Sequence, residues 1–149
     1  MMKKALWLFL ILWCTNSFAV DYFVPNDESN QLKHSPYKLV LFFSNECPHC
    51  VRFAPVIKYF MDNEGWEVEA LSLNEGTLPE FPNATFATQS MIDSAYLGNP
   101  VVYPALFVAN KRTKTLYPVA YGEMGYQDLK ERLAVISEKI TIYERGLQR

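Results

Sequence analysis

The sequence predicts an α/β fold in which helices flank a central mixed β-sheet. Short apolar runs of strand length alternate along the chain with stretches whose apolar residues recur at helical spacing. A strand, a helix and a second strand in this order imply parallel pairing with a right-handed crossover. The last two strands are separated only by a short polar turn, so they are expected to form an antiparallel hairpin. Both kinds of pairing are therefore predicted within one sheet.

The first apolar run of strand length after the N-terminal region, residues 39–43, is predicted to be a central strand that is buried on both faces. Residues 50–63 follow with helical spacing, and Pro55 is expected to kink that helix. Gly65 then ends the helix, because glycine readily adopts the left-handed conformation found at helix ends. Residues 66–73 alternate between apolar and polar side chains, which predicts the second strand.

A proline-rich connector spans residues 74–100 and contains a predicted helix over residues 86–96. Residues 101–109 have the composition of a strand, although Pro104 interrupts them. The polar residues 110–114 form a turn. The remaining predicted elements are a strand over residues 116–120 and a final helix that begins near Gly125.

Residues 1–19 have the three parts of a secretory signal peptide. Lys3 and Lys4 make the start basic, an apolar stretch covers residues 5–13, and Ala19 precedes the expected cleavage site. The apolar stretch is too short to span a bilayer comfortably. Cleavage would leave about 130 of the 149 residues, which is enough for one domain with a substantial core.

The number and positions of the cysteines are also consistent with an exported protein. Cys14 raises the alternative of a lipoprotein signal, but Trp13 stands where a small residue would be expected. Cleavage of the signal peptide removes Cys14 and leaves Cys47 and Cys50, an even pair suited to a compartment that tolerates disulfides. The short signal with few charges is typical of bacteria, so the expected location is the periplasm.

The remainder divides into a polar lead-in over residues 20–37, with a candidate strand near residues 22–24, and a domain over residues 38–149. Once Lys3 and Lys4 are removed, 12 basic residues remain against 16 acidic ones. This acidic balance gives no indication of nucleic-acid binding.

The motif Cys-Pro-His-Cys at residues 47–50 lies directly between the predicted central strand and its helix, which makes it a candidate redox dithiol. If Cys47 sits at the helix N-terminus, the free backbone N–H groups and the helix dipole favour its thiolate, a nucleophile. Pro48 suits the first helical turn. His49 adds a positive charge beside the thiolate when it is protonated. Both residues are therefore expected to tune the acidity of Cys47.

Paired cysteines also occur in zinc sites and at haem attachment sites, but both uses fit this chain poorly. Zinc needs about four ligands, whereas the mature chain offers the two thiols, His49 and the distant His34. Covalent haem attachment requires histidine directly after the second cysteine, where this chain has Val51. We therefore expect no metal and no cofactor. An inert structural disulfide is the remaining alternative.

The order of elements and several particular residues resemble the thioredoxin family. These residues are the Cys-Pro-His-Cys motif after a strand, Pro55 five positions later, Tyr103 and Pro104 before an apolar strand, and Gly122 after the last strand. Within this frame, residues 39–57 resemble the TrbB group of thiol-disulfide interchange proteins of F-type conjugative transfer systems. Proteins of the DsbA type share the same Pro-His pair.

The resemblance implies roles for particular residues. Cys47 would attack a disulfide and Cys50 would resolve the resulting mixed disulfide. Pro104 would be cis and lie beside the dithiol, where the backbone at Tyr103 could bind a substrate segment as an added strand. Thioredoxins keep an acidic residue six positions before the first cysteine, but this chain has Leu41 there. Proton transfer from Cys50 would then use water, Glu46 or another group, although Glu46 is expected to be a solvated loop charge.

The resemblance also implies a function. The implied function is that of a periplasmic thiol-disulfide oxidoreductase or isomerase that acts on exported proteins, such as components of a conjugative pilus or type IV secretion system. The implied partners are cysteine-containing exported proteins and a membrane redox protein. A monomer is expected, since the lead-in is too short for a dimerisation domain. Two alternatives stay open, namely a redox-inactive assembly module of a secretion system and a dedicated periplasmic reductant.

Overall fold

The computed structural model describes residues 36–147. The predicted signal peptide, the candidate strand near residues 22–24 and His34 lie outside the described residues. In chain order the elements are β1 (Tyr37–Phe43), α1 (Pro48–Glu64), β2 (Val68–Ser72), β3 (Thr85–Phe86), α2 (Gln89–Tyr96), β4 (Ala105–Asn110), β5 (Leu116–Tyr121) and α3 (Tyr126–Leu147).

The five strands form one mixed sheet in the order β3-β2-β1-β4-β5. β1 pairs in parallel with β2, and β2 pairs in parallel with β3. β4 runs antiparallel to both β1 and β5. The predicted α/β class, the mixed sheet and the C-terminal hairpin are therefore confirmed.

β1 is the middle strand, and its side chains enter the core on both faces of the sheet. Leu41 and Phe43 belong to the larger apolar cluster, which includes buried residues of α1 and α3. Phe42 belongs to a second cluster with Tyr96 of α2 and Phe107 of β4. Since the carboxyl end of β1 leads straight into α1, this rigid strand fixes where the motif lies. The predicted burial on both faces is confirmed.

α1 is a single helix of 17 residues that begins at Pro48 and continues through Pro55. It ends as predicted at Gly65, which has a φ of 71° and donates its N–H to the carbonyl oxygen of Met61 at 2.9 Å. In the part of the chain that the structure covers, none of the helices is both long and apolar enough to cross a membrane.

In the connector, one predicted boundary is wrong and one strand was not predicted. The helix expected over residues 86–96 begins only at Gln89, after Thr88 has capped it by accepting a hydrogen bond from the Met91 N–H at 3.3 Å. Thr85 and Phe86 instead form β3, a two-residue strand that pairs with the end of β2.

The strand expected over residues 101–109 is also too long. β4 begins at Ala105, and the three residues before Pro104 lie outside the sheet. Proline has no N–H to donate to the neighbouring strand. The peptide bond between Tyr103 and Pro104 is cis, as the family resemblance implies.

Candidate active site

Cys47 lies at the N-terminus of α1, where the sequence places it. It is the residue that precedes the helix, in an extended conformation with φ −87° and ψ 116°, and Pro48 is the first helical residue. The N–H of Cys47 donates to the carbonyl oxygen of Ser44 at 3.2 Å, which fixes the turn after β1. The Cys47 side chain is partly exposed at the start of α1, and free backbone N–H groups and the dipole favour negative charge at this end of a helix.

Cys50 lies one turn further along α1 and is buried, with 2% of its surface exposed. Both cysteines are free thiols. Burial raises the pKa of Cys50 to about 12, and the neighbouring Cys47 adds to the shift. The Cys50 thiol therefore stays protonated at neutral pH while Cys47 remains accessible. This asymmetry fits an attacking Cys47 and a resolving Cys50.

The asymmetry predicts selective alkylation. In the reduced, folded protein near neutral pH, iodoacetamide should label Cys47 and leave Cys50 unlabelled, because Cys50 is both buried and protonated. Labelling of Cys50 should rise only as the pH approaches about 12. Peptide mass spectrometry of the labelled protein gives the ratio directly. Urea-unfolded protein is the control, in which both thiols should react alike. Equal labelling of the two cysteines in the folded protein would refute the assignment.

The segment before β4 lies beside the dithiol. The Cys47 sulfur is 4.0 Å from the carbonyl oxygen of Tyr103, the residue before the cis bond. The carbonyl oxygen of Pro104 accepts the Gly122 N–H at 2.7 Å, which ties this segment to the loop after β5. Val101, Val102 and Tyr103 are each more than 40% exposed. The structure thus brings Cys47, Tyr103 and Pro104 together.

Leu41 is buried in the core below the motif, so this position supplies no carboxylate for proton transfer. Among residues 36–147, the one buried carboxylate is Glu64, which accepts a hydrogen bond from Tyr126. Glu64 lies at the opposite end of α1 from Cys50, roughly 20 Å away along the helix. Glu46 is exposed, as expected for a loop charge. The proton of Cys50 therefore has no direct route to a buried carboxylate of the described residues.

His49 is exposed and belongs to a charged cluster that the sequence analysis missed. Arg52 donates to Glu123 through two nitrogens, Nε to Oε2 at 2.9 Å and Nη2 to Oε1 at 2.7 Å. Nδ1 of His49 lies 3.1 Å from Oε1 of Glu123 and 2.9 Å from Nη2 of Arg52. The hydrogen bonds from Arg52 lower the pKa of Glu123. The contact between His49 and Arg52 could have been predicted from the sequence, because residues three apart share a helix face.

A second missed contact holds the loop that leads to Cys47. Asn74, just after β2, donates from Nδ2 to Oδ1 of Asn45 at 2.7 Å. Gly76 leaves the room for this arrangement, since a Cβ atom at that position would collide with the Asn45 side chain. The pair thus anchors the turn before Cys47 to the neighbouring strand. Within residues 36–147 no three His, Cys, Asp or Glu side chains are grouped so that they could hold a metal ion.

Comparison with known proteins gives the family. The family model described as TraF, F plasmid transfer operon protein, matches residues 28–134. Protein TrbB of Escherichia coli (strain K12) is 28% identical over 92 residues, which cover 62% of this chain and 51% of TrbB. The match thus spans about half the length of that relative.

A solved structure gives the fold. A thiol:disulfide interchange protein of the thioredoxin family from Chlorobium tepidum TLS superposes with a TM-score of 0.54 at 21% identity, covering 73% of this chain and 84% of that one. This likeness identifies the fold as thioredoxin-like, as the sequence predicts. Since the family model covers well over half of the residues, the chain belongs to the TraF family of F plasmid transfer operon proteins.

Proposed function

We propose that this protein is a thiol-disulfide oxidoreductase in which Cys47 and Cys50 exchange a disulfide with substrate proteins. The observation that carries the proposal is the asymmetry of the two thiols. Cys47 is partly exposed at a helix N-terminus, whereas Cys50 is buried one turn behind it with a raised pKa. A structural disulfide would need no such difference in access or acidity.

Exchange proceeds through a mixed disulfide. The Cys47 thiolate attacks one sulfur of a substrate disulfide, forms a bond to it and displaces the other substrate sulfur as a thiolate. Cys50 then loses its proton and attacks the Cys47 sulfur, which releases the second substrate thiolate and closes the disulfide between Cys47 and Cys50. Each cycle thereby reduces one substrate disulfide and oxidises the protein by two electrons. The reverse sequence oxidises a substrate dithiol.

The segment at residues 101–103 is the proposed substrate-binding site. It is exposed, apolar and outside the sheet, and the Tyr103 carbonyl oxygen lies 4.0 Å from the Cys47 sulfur. An extended substrate segment could pair with this backbone as an added strand, with its cysteine next to Cys47. Pro104 shapes the segment and is itself buried.

Family membership supports a place for this activity in conjugative transfer. We infer that the substrates are cysteine-containing exported proteins, such as components of a conjugative pilus or type IV secretion system. The site of action is the periplasm, which tolerates disulfides. A membrane redox protein then restores the dithiol or the disulfide after each cycle, and the protein acts as a monomer.

His49 is expected to make the protein more oxidising. When His49 is protonated, its positive charge beside Cys47 stabilises the thiolate and hence the reduced protein, which raises the reduction potential. His49→Gln should therefore lower the potential measured by equilibration with glutathione. An unchanged potential would assign the stabilisation of the thiolate to the helix terminus alone.

A refolding assay tests the function directly. A protein with scrambled disulfides is incubated in glutathione buffer with the wild-type protein, and recovery of its native pairing is followed over time. The wild type should accelerate recovery, whereas the double variant Cys47→Ser, Cys50→Ser should leave the uncatalysed rate. Equal rates for the two proteins would refute the proposal.

A further inference from the structure

The ion pair between Arg52 and Glu123 lies beside the dithiol and joins two distant parts of the chain. Both guanidinium contacts are shorter than 3.0 Å, at 2.9 Å and 2.7 Å. Arg52 is in the second turn of α1, and Glu123 follows Gly122 in the loop between β5 and α3. Gly122 in turn binds the carbonyl oxygen of Pro104. The pair thus connects the helix that carries both cysteines to the loop that supports the proposed substrate segment.

Both charges can act on the dithiol. Arg52 interacts electrostatically with Cys47 and lies on the same end of α1. A positive charge near Cys47 favours a thiolate there, and Glu123 carries the opposite charge within hydrogen-bond distance of Arg52. Exposed charges interact only weakly through water.

The two residues also share one atom of His49. Nδ1 of His49 lies within hydrogen-bond distance of both Arg52 Nη2 and Glu123 Oε1. A ring nitrogen either accepts through its lone pair or donates its proton, so it can satisfy only one of the two at a time. A bond from Arg52 needs the Nδ1 lone pair, whereas a bond to Glu123 needs a proton on Nδ1. The two residues therefore compete for the same atom of His49.

We propose that Arg52 and Glu123 are positioning residues that set the redox potential of the dithiol in opposite directions. The inference rests on the proposed function, because a potential has meaning only for a reversible dithiol. In the reduced state Arg52 stabilises the Cys47 thiolate and Glu123 weakens that stabilisation. Loss of Arg52 therefore makes the protein more reducing, and loss of Glu123 makes it more oxidising.

Structural stabilisation alone explains the pair poorly. The side chains of Arg52 and Glu123 are 56% and 34% exposed, and ion pairs at such sites contribute little to folding. Lys58 and Asp62 form a comparable exposed pair on α1, at 39% and 52%, and serve as a matched control. They belong to neither the dithiol nor its charged cluster.

The test compares the glutathione equilibrium constants of the full chain and its variants, above the pH range in which imidazoles ordinarily titrate. Arg52→Gln and Glu123→Gln should shift the constant by about two- to fivefold in opposite directions, as expected for exposed charges. Combining the two substitutions should return it toward the wild-type value. Arg52→Lys keeps the charge and should stay near wild type, and Lys58→Gln should have no effect.

The outcomes separate the two proposals. If the wild type shows no reversible equilibrium with glutathione, the proposed function fails. If the wild type equilibrates but both single variants shift the constant in the same direction, or neither shifts it, the function stands and the inference about Arg52 and Glu123 is wrong. A matching loss of thermal stability in both variants, with unchanged constants, would identify the pair as purely structural.

Discussion

Cys47→Ser is expected to abolish disulfide exchange, and this should be the largest effect of any single substitution in the site. A serine hydroxyl is not ionised at neutral pH, so the helix terminus has no thiolate to present to a substrate. The rate of disulfide exchange should fall by roughly three orders of magnitude or more, the scale on which loss of a nucleophile acts in enzymes. The scrambled-substrate assay provides the rate.

Cys50→Ser should fail in a different way. Cys47 still attacks, but no second thiol remains to resolve the mixed disulfide, so substrates should stay bound through a bond that reducing agents cleave. Non-reducing electrophoresis would show the trapped complexes, and Cys47→Ser, Cys50→Ser is the control that should trap nothing. The assigned roles would be reversed if Cys47→Ser trapped substrates and Cys50→Ser did not.

Among alanine substitutions of the aromatic residues in the second apolar cluster, Phe107→Ala is expected to cause the largest loss of stability. Phe107 is 1% exposed in β4 and packs edge-on against Phe42 and Tyr121, with ring centroids 5.7 and 5.9 Å away. Removing a fully buried ring leaves a cavity within the second apolar cluster. The free energy of unfolding should therefore fall by about 3–5 kcal/mol. Urea unfolding followed by tryptophan fluorescence measures this change.

Phe86→Ala is the matched control for that substitution. Phe86 also lies on a strand, but its side chain is 53% exposed at the sheet edge. The free energy of unfolding should change by less than about 1 kcal/mol. Similar losses for both variants would show that the packing on this face of the sheet differs from the arrangement described above.

The fold could be predicted where local sequence and burial agree. Residues 39–43 of β1 form a continuous apolar run because both faces of the middle strand are covered, and the helical spacing of α1 reflects the one face it buries. β3 carried no such signal, since its two residues are both exposed and only pairing with β2 makes them a strand. Val101 and Val102 have strand propensity, but the tertiary structure leaves them exposed next to Pro104.

The same distinction between local and distant features applies to the candidate active site. The spacing of Cys47 and Cys50 after a buried strand was enough to predict a dithiol at a helix N-terminus, because that geometry is local. The position of Tyr103 beside the thiol followed only from the family resemblance. Glu123 could not be predicted, since its partner Arg52 is 71 residues away and no local pattern marks a surface carboxylate for pairing.

A redox titration of the full chain tests the central claim most directly. The protein is equilibrated over a range of ratios of reduced to oxidised glutathione, and peptide mapping reports the state of Cys47 and Cys50 at each ratio. We predict one reversible two-electron transition in which a disulfide forms between these two cysteines and no others. If the cysteines stayed reduced throughout, or oxidised without reversal, this protein would not be a thiol-disulfide oxidoreductase.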